Sequence, residues 1–498
     1  MRHYLDALSD TIRENWDRPA LTDYSVLGGG HGNDYSYGNL YQKIVWLGKR
    51  FCMLGLERGD HIGICGVNSA NWAVSYLAIA AFQGVSVTIL NSQMPAEIAK
   101  QISFADCKAL FVDDEIWNQL PKDLPVAFVF SLDDYSILRG KHVIENDQDN
   151  KIDEVRFASG NINDLAQICF TSGSEDEPKA VMLSYSSICN NVWVGIEICP
   201  IQKWENVVSI LPSAHVFGLI FEILDHMINA NHVFFMGRNN SFSSLSEAFS
   251  RVHTCLVRTV PLVLEQLYYR VGDKIKDILG DNIQQIFVGG SAINVDVEDA
   301  LVRLGLPISV GYGSTETGPL ISATNYKYYI PHSVGKVVSG MEARVSEAGE
   351  ILVKGANVML GYYKNPEATR RKIDADGWLH TGDRGRVEED GTVYVYGRLE
   401  QDMIVLPSGE NIVPQNIEAL LDGIDGVAES LVLERGGRLV ALVYPETVAD
   451  AGTLPDKDSL LRSVNVQLPS FSQLSDIEFV SSPFQRTGKS GIKRYLYS

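Results

Sequence analysis

Positive charge is in short supply in this chain: 42 lysines and arginines stand against 62 aspartates and glutamates, a net charge of −20. Such a surface has few cations to replace the counterions of a nucleic acid or an anionic lipid. Nonspecific binding to either is excluded, while a local basic pocket stays allowed. Cysteine is sparse and unpatterned. The seven, at positions 52, 65, 107, 169, 189, 199 and 255, form no CxxC pair, and no HExxH or HxxxH spacing occurs. A zinc site and a disulfide scaffold therefore lack support. Buried thiols in a reducing cytosol are the expectation, and the N-terminal MRHYLDALSD has no apolar signal-peptide core, so cytoplasmic localisation is expected. Long hydrophobic runs are also missing. The most apolar stretch, Ala73 to Leu90, is split by Gln83 and Gly84. Its first half reads as a core helix, its second as a core strand with Val85, Val87 and Ile89 alternating, and no membrane span is expected.

Three catalytic signatures are absent as well. No GxSxG elbow supports a hydrolase serine, and no GxGxxG loop supports a dinucleotide site. Thr487-Gly-Lys-Ser490 imitates the end of a phosphate loop, but Pro483 occupies the first glycine position and only eight residues follow. What is present is an ordinary folded composition, 45% hydrophobic and 21% charged, over 498 residues. That length predicts about three domain-sized units.

Helix-like and strand-like segments alternate over the first 300 residues, which predicts α/β layers. Leu40, Ile44, Leu47, Phe51 and Leu54 recur at helical spacing over 38–54, with Gly55 as C-cap, and His61–Val67 reads as a buried strand. From 331 to 397 short β segments are punctuated by glycine, which predicts a β-rich subdomain. The last hundred residues form a small α+β unit: Ile417, Leu420, Leu421 and Ile424 mark a helix face, and two apolar strands flank Gly436-Gly437, a hairpin signal. A hinge is expected near Gly397-Arg398.

Four loops carry chemistry. Thr171-Ser-Gly-Ser-Glu-Asp-Glu-Pro-Lys179 follows the apolar run Ile168–Phe170 and offers hydroxyls, backbone N–H groups and a lysine to phosphate. Gly289-Gly-Ser-Ala292 follows the strand-like Ile286–Val288. Gly311-Tyr-Gly-Ser-Thr-Glu-Thr-Gly318 sets a flat aromatic, a hydroxyl and a carboxylate on one turn, the groups that base stacking, phosphate contact and magnesium binding require. Trp378-Leu-His-Thr-Gly-Asp383 ends in a carboxylate suited to ribose hydroxyls.

In this order, with Leu211-Pro-Ser-Ala-His-Val-Phe-Gly218, Gly349-Glu350, Met359-Leu-Gly-Tyr-Tyr363 and Gly397-Arg398, the loops resemble the adenylate-forming superfamily of acyl- and aryl-CoA synthetases, luciferases and peptide-synthetase adenylation domains. The resemblance covers nearly the whole chain. It implies an α/β fold: a large N-terminal domain (1–397) of two α/β subdomains plus a β-barrel-like subdomain (331–397), and a small mobile α+β C-terminal domain (398–498). It also implies ATP-dependent activation of a fatty or aryl carboxylic acid, with Mg2+ as cofactor and CoA as acceptor. A separate carrier protein's phosphopantetheine is the alternative acceptor, and a nucleotide- or acyl-binding protein without turnover is the alternative from another class.

By the same resemblance, Thr171, Ser172, Gly173, Ser174 and Lys179 hold the β- and γ-phosphates. Gly290, Ser291 and Tyr312 surround adenine with Gly313 beside them, Thr315 touches the α-phosphate and Glu316 binds the metal. Asp383 takes the ribose hydroxyls, Arg398 sits near the ribose, and Lys489 serves adenylation with Lys493 in reserve. His215 lines the acid pocket or is a packed core histidine. The sequence departs from the family in Glu175-Asp176-Glu177, three carboxylates in the phosphate loop, and in Ala180, which replaces its last glycine. The hinge residue is Glu400 or Asp402.

Overall fold

Helix and strand boundaries follow the local chemistry closely. The helix expected over 38–54 runs from Tyr37 to Met53; Ser36 caps it by accepting from the Asn39 amide. It stops because Gly55 adopts a left-handed conformation, φ +77°, which a glycine takes without strain. The apolar stretch at 73–90 divides where Gln83 takes φ +63°: Ala70–Phe82 is a buried helix and Val85–Ile89 a fully buried strand. The strand read at 61–67 ends at Cys65, since the next two residues turn toward Asp113, whose carboxylate accepts from the Val67 amide at 2.9 Å.

The computed structural model describes residues 1–140, 156–157, 159–171, 179–238, 241–280, 282–398, 404–405, 411–412, 414–424, 426–445, 456–469, 472–485, 492 and 494–497. They fold into two compact units. The first comprises 1–345, 352–381 and 386–394; the second comprises 346–351, 382–385 and 395–498. The architecture is α/β, as expected.

The first unit is built on two large sheets. One has eight strands, of which five adjacent ones, Leu165–Thr171, Val85–Ile89, His61–Cys65, Ala109–Val112 and Phe128–Ser131, run parallel. They are buried along most of their length, and Cys65, Val87, Ile89, Leu110 and Ile168 form part of one core cluster. The other has five strands, of which Leu256–Thr259, Gln285–Gly289 and Ile308–Tyr312 are parallel and in register, Gly289 opposite Gly311. Val257, Ile286, Val288, Ile308 and Val310 form its core. A four-stranded sheet pairs Asn206–Ser209, His232–Phe235, Pro19–Asp23 and Asp34–Ser36 in that order. The glycine-punctuated stretch supplies four strands, Met341–Val345, Glu350–Gly355, Leu379–Val387 and Val393–Arg398, whose residues are divided between the two units.

In the second unit, Val427–Arg435 and Arg438–Pro445 form the expected hairpin, with Arg435 opposite Arg438. Gly436 and Gly437 both take positive φ, +60° and +82°, as a two-residue primed turn requires. Ile417 and Leu421 of the Pro414–Asp422 helix bury completely against this sheet, which stabilises the unit by roughly 2 kcal/mol per side chain. Glu418 on the same helix accepts from the Val432 amide at 2.7 Å and pairs with Arg494 at 2.5 Å. Removing one partner of a largely buried ion pair strands the other charge. Arg494→Ala is therefore expected to destabilise the second unit by about 2 kcal/mol, with Arg494→Lys less damaging; urea denaturation of the full chain measures it.

Candidate active site

The carboxyl ends of the three parallel strands in the five-stranded sheet deliver three loops to one edge. In open α/β sheets this edge is where ligands bind. Gly290 and Ser291 are exposed beyond Gln285–Gly289, and Tyr312 stands half-buried at the end of Ile308–Tyr312. Gly313 has to be a glycine: a Cβ there would lie 2.0 Å from the Pro319 carbonyl oxygen. The chain then makes a single 3-10 turn, Thr315–Thr317, closed by a reciprocal cap in which the Ser314 amide donates to the Thr317 hydroxyl at 2.9 Å. Thr315 and Glu316 are thus presented half-buried on a rigid turn.

Glu316 is oriented from outside its own loop. The Tyr362 hydroxyl donates to its carboxylate at 2.9 Å, and the Met359 amide donates to its backbone carbonyl at 2.9 Å. Tyr362 lies in the short strand Gly361–Tyr362, which pairs with Lys179–Ser184. That strand in turn pairs with Leu165–Thr171, Thr171 opposite Lys179. One continuous ladder therefore links both ends of the phosphate-loop candidate to the strand whose tyrosine holds Glu316. The Glu316 charge reaches Cys169 and, after burial, contributes to pushing that thiol up to about 12. Among the described residues no group of three or more His, Cys, Asp or Glu is arranged to hold a metal. A single oriented carboxylate is nonetheless a fitting donor for magnesium, which takes one or two carboxylates and completes its shell with phosphate and water.

His215 stands just ahead of the short helix Val216–Gly218. It is half-buried. Its neighbour Phe217 lies 6.0 Å from Phe287, ring centre to ring centre, and against the position of Gly289, which brings this motif to the same sheet edge. Asn68 grips the motif from the other sheet: its amide donates to the Leu211 carbonyl at 2.5 Å and accepts from the Ser213 amide at 2.8 Å.

In the second unit Asp383 and Arg398 form an ion pair, 3.3 Å between Oδ1 and Nε. The Gly382 amide donates to Glu350 at 2.8 Å, and the Gly385 amide donates to the Gly349 carbonyl at 3.1 Å. Three separate sequence motifs thus meet in one cluster. Ser172, Gly173, Ser174, the Glu175-Asp176-Glu177 run, Glu400, Asp402, Lys489 and Lys493 lie outside the described residues.

A model of the AMP-binding enzyme family matches residues 8–363. The chain belongs to the AMP-binding enzyme family. It is 28% identical to a methyl-dioxo-octahydroindenyl-propanoyl:CoA ligase of Rhodococcus jostii (strain RHA1), over 97% of this chain and 96% of that one. It is 25% identical to 4-coumarate–CoA ligase 3 of Arabidopsis thaliana, over 95% and 87%. Its fold matches that of ATP-bound MatB from Rhodopseudomonas palustris with a TM-score of 0.83, at 21% identity over 99% and 98% of the two chains.

Several groups that hold the site of this family member had no clear signal in the sequence. Asn190, Asn191 and Asn357, all buried, knit the Tyr185–Ile198 helix to the site loop. Asn191 donates to the Thr317 carbonyl at 3.4 Å and accepts from the Leu320 amide at 3.0 Å; Asn357 donates to the Leu320 carbonyl at 2.6 Å. Adjacent asparagines inside an apolar helix disfavour helix formation, and that was the only hint available.

Glu222 is the other. It is 1% exposed in a π-helical turn, Leu219–Leu224, and burial pushes its carboxyl up to about 8 against the downward pull of its hydrogen bonds and of Arg258. Burial holds His226 and His232 down at about 4. The signs oppose. Neutral buried histidines add stability as pH rises from about 4 to 6.5, whereas Glu222 binds its proton more tightly folded than unfolded, so its contribution is lost as pH rises from about 4.5 to 8. Between pH 6.5 and 8 Glu222 alone of these three still titrates. The thermal midpoint of the protein is expected to fall across that window, with a slope of at most about 1.4 kcal/mol per pH unit. Glu222→Gln flattens it; calorimetry at four pH values in the window checks this.

Proposed function

We propose that this enzyme joins a carboxylic acid to a thiol at the expense of ATP, first as an acyl-adenylate and then as a thioester, with CoA as the acceptor. The observation that carries the reading is that Tyr362, on the strand paired with the Thr171/Lys179 hairpin, holds Glu316 on the loop that follows the strand of Tyr312, next to the strand that leads into Gly290 and Ser291. Family membership and the CoA ligases among its relatives support the same chemistry.

In the first step a carboxylate oxygen of the acid attacks the α-phosphorus of ATP, and the bond to the bridging oxygen breaks as pyrophosphate leaves. In the second the thiol attacks the acyl carbon and AMP departs with its oxygen. The barrier is largely repulsion between two anions, so the protein's task is neutralisation and alignment. Lys179 with Thr171, Ser172, Gly173 and Ser174 holds the β- and γ-phosphates. Thr315 contacts the α-phosphate, and Glu316, fixed by Tyr362, holds Mg2+. Gly290, Ser291, Tyr312 and Gly313 border the adenine. Asp383 and Arg398 keep the ribose assignment of the sequence reading, Lys489 the adenylation role and His215 the acid. Fatty and aryl acids are the substrate classes in view, since relatives named for both occur. Cys65, Cys107, Cys169, Cys189, Cys199 and Cys255 are buried free thiols, in keeping with work in a reducing cytosol, and no helix among the described residues is long and apolar enough to cross a membrane.

The test is pyrophosphate release over a panel of fatty and aryl acids, with CoA, with a phosphopantetheinylated carrier protein, and with neither. Acid-dependent release accompanied by AMP and acyl-CoA is expected. Thioester formed only on the carrier would reject CoA as acceptor, and no acid-dependent release at all would reject the ligase reading.

Tyr362→Phe removes the hydroxyl that orients Glu316. A hydrogen bond to a charged group contributes about 1.5–3 kcal/mol, so the apparent KM for Mg·ATP should rise about tenfold or more, with the KM for the acid unchanged. Pyrophosphate exchange at varied ATP, and again at varied acid, gives the two constants.

A further inference from the structure

Glu222 is spent on two backbone amides and one hydroxyl of a single short segment. Its carboxylate accepts from the Ser209 hydroxyl at 2.8 Å, from the Ile210 amide at 3.1 Å and from the Leu211 amide at 2.9 Å. Those three donors sit where the strand Asn206–Ser209 ends and the His215 motif begins. On the far side of the motif the Leu219 amide donates to the His215 carbonyl at 2.9 Å. Three residues later Glu222 reaches back to Leu211. The 210–222 segment is therefore closed into a ring by one side chain.

The ring is gripped at a second point. Leu211 donates its N–H to Glu222 and gives its carbonyl to Asn68, so both of its backbone polar groups are fixed. Gly218 permits the closure, because a Cβ there would lie 2.5 Å from the Pro212 carbonyl oxygen. The turn bearing Glu222 is π-helical, a rare geometry that concentrates at functional sites. Nothing about the fold of the strand demands a carboxylate here. A buried acid is a costly way to satisfy two amides and a hydroxyl unless their position matters.

We propose that Glu222 is a positioning residue for the acid-binding loop: by holding Ser209, Ile210 and Leu211 it sets where His215 stands against the carboxylic acid. The proposal rests on the assignment of His215 to the acid pocket made above. Glu222 itself does not touch substrate; its effect passes through the 210–215 backbone.

The experiment uses the full-length enzyme and the acid that the wild type turns over best. Glu222→Gln keeps the shape and one acceptor oxygen but sets an N–H against a backbone N–H. It is compared with His215→Ala and with the double variant. Three results are expected. The KM for the acid rises about tenfold in Glu222→Gln while that for ATP stays within about twofold. In the His215→Ala background the second substitution adds less than about twofold, because the two residues act as one unit. Hydrogen–deuterium exchange at the Ile210 and Leu211 amides becomes faster by about tenfold or more.

A full additional rise in the acid KM on the His215→Ala background overturns the proposal, as does accelerated exchange with an unchanged acid KM, which would make Glu222 structural only. Unchanged exchange also overturns it. Asn68→Ala releases Leu211 from the opposite side and should reproduce the selective rise in acid KM; if Glu222→Gln does not fold, this variant decides. A wild type that turns over no acid rejects the ligase reading instead, and the exchange measurement then decides separately whether Glu222 fixes the loop.

Discussion

Buried amide side chains that must all be paired are the constraint on which the site depends. Asn190, Asn191 and Asn357 sit inside the first unit, where an unpaired amide costs several kcal/mol. The observed arrangement pairs each of them more than once. Asn190 donates to Asn357 at 2.7 Å and to the Ser339 carbonyl at 2.9 Å, and Asn191 donates to the Ser187 carbonyl at 2.9 Å. Asn357 also donates to Asn191, and further bonds go to Thr317 and Leu320. The loop carrying Thr315 and Glu316 is thereby welded to a helix and to the strand region at 357. Displacing the loop would leave these buried amides unpaired, which opposes its movement.

Rigidity of this kind suits adenylation. The reaction brings a carboxylate to a triphosphate, and the protein gains most by having its compensating charge and donors in place beforehand, with no reorganisation at the moment of attack. Tyr362 on Glu316 and the Thr171–Lys179 ladder pair follow the same logic: each polar group is aimed by a partner that is itself held in a sheet. Glu222 extends it to the His215 motif, where three donors converge on one buried carboxylate. The contrast with Asp383 and Arg398 is instructive. Their ion pair is partly exposed, 18% and 49%, so it fixes geometry more weakly and contributes little stability.

The sequence by itself determined the elements and the inventory of reactive groups. Helix Tyr37–Met53, the helix–strand division at Gln83, the Gly436-Gly437 hairpin and the helix face of Ile417 and Leu421 were all legible, because each depends on residues within a few positions of one another: periodicity, caps and turn glycines. The family was legible too, since its motifs are short loops whose chemistry is local. Only tertiary structure decided how those groups are held. Tyr362 meets Glu316, Asn191 meets Leu320 and Asn68 meets Leu211 across more than forty positions of chain. No spacing rule reaches that far, because such pairings are set by which strands lie side by side. The His215 motif shows the difference most plainly: Glu222 and Asn68 hold Leu211, four residues before the histidine, through contacts that no local spacing announces.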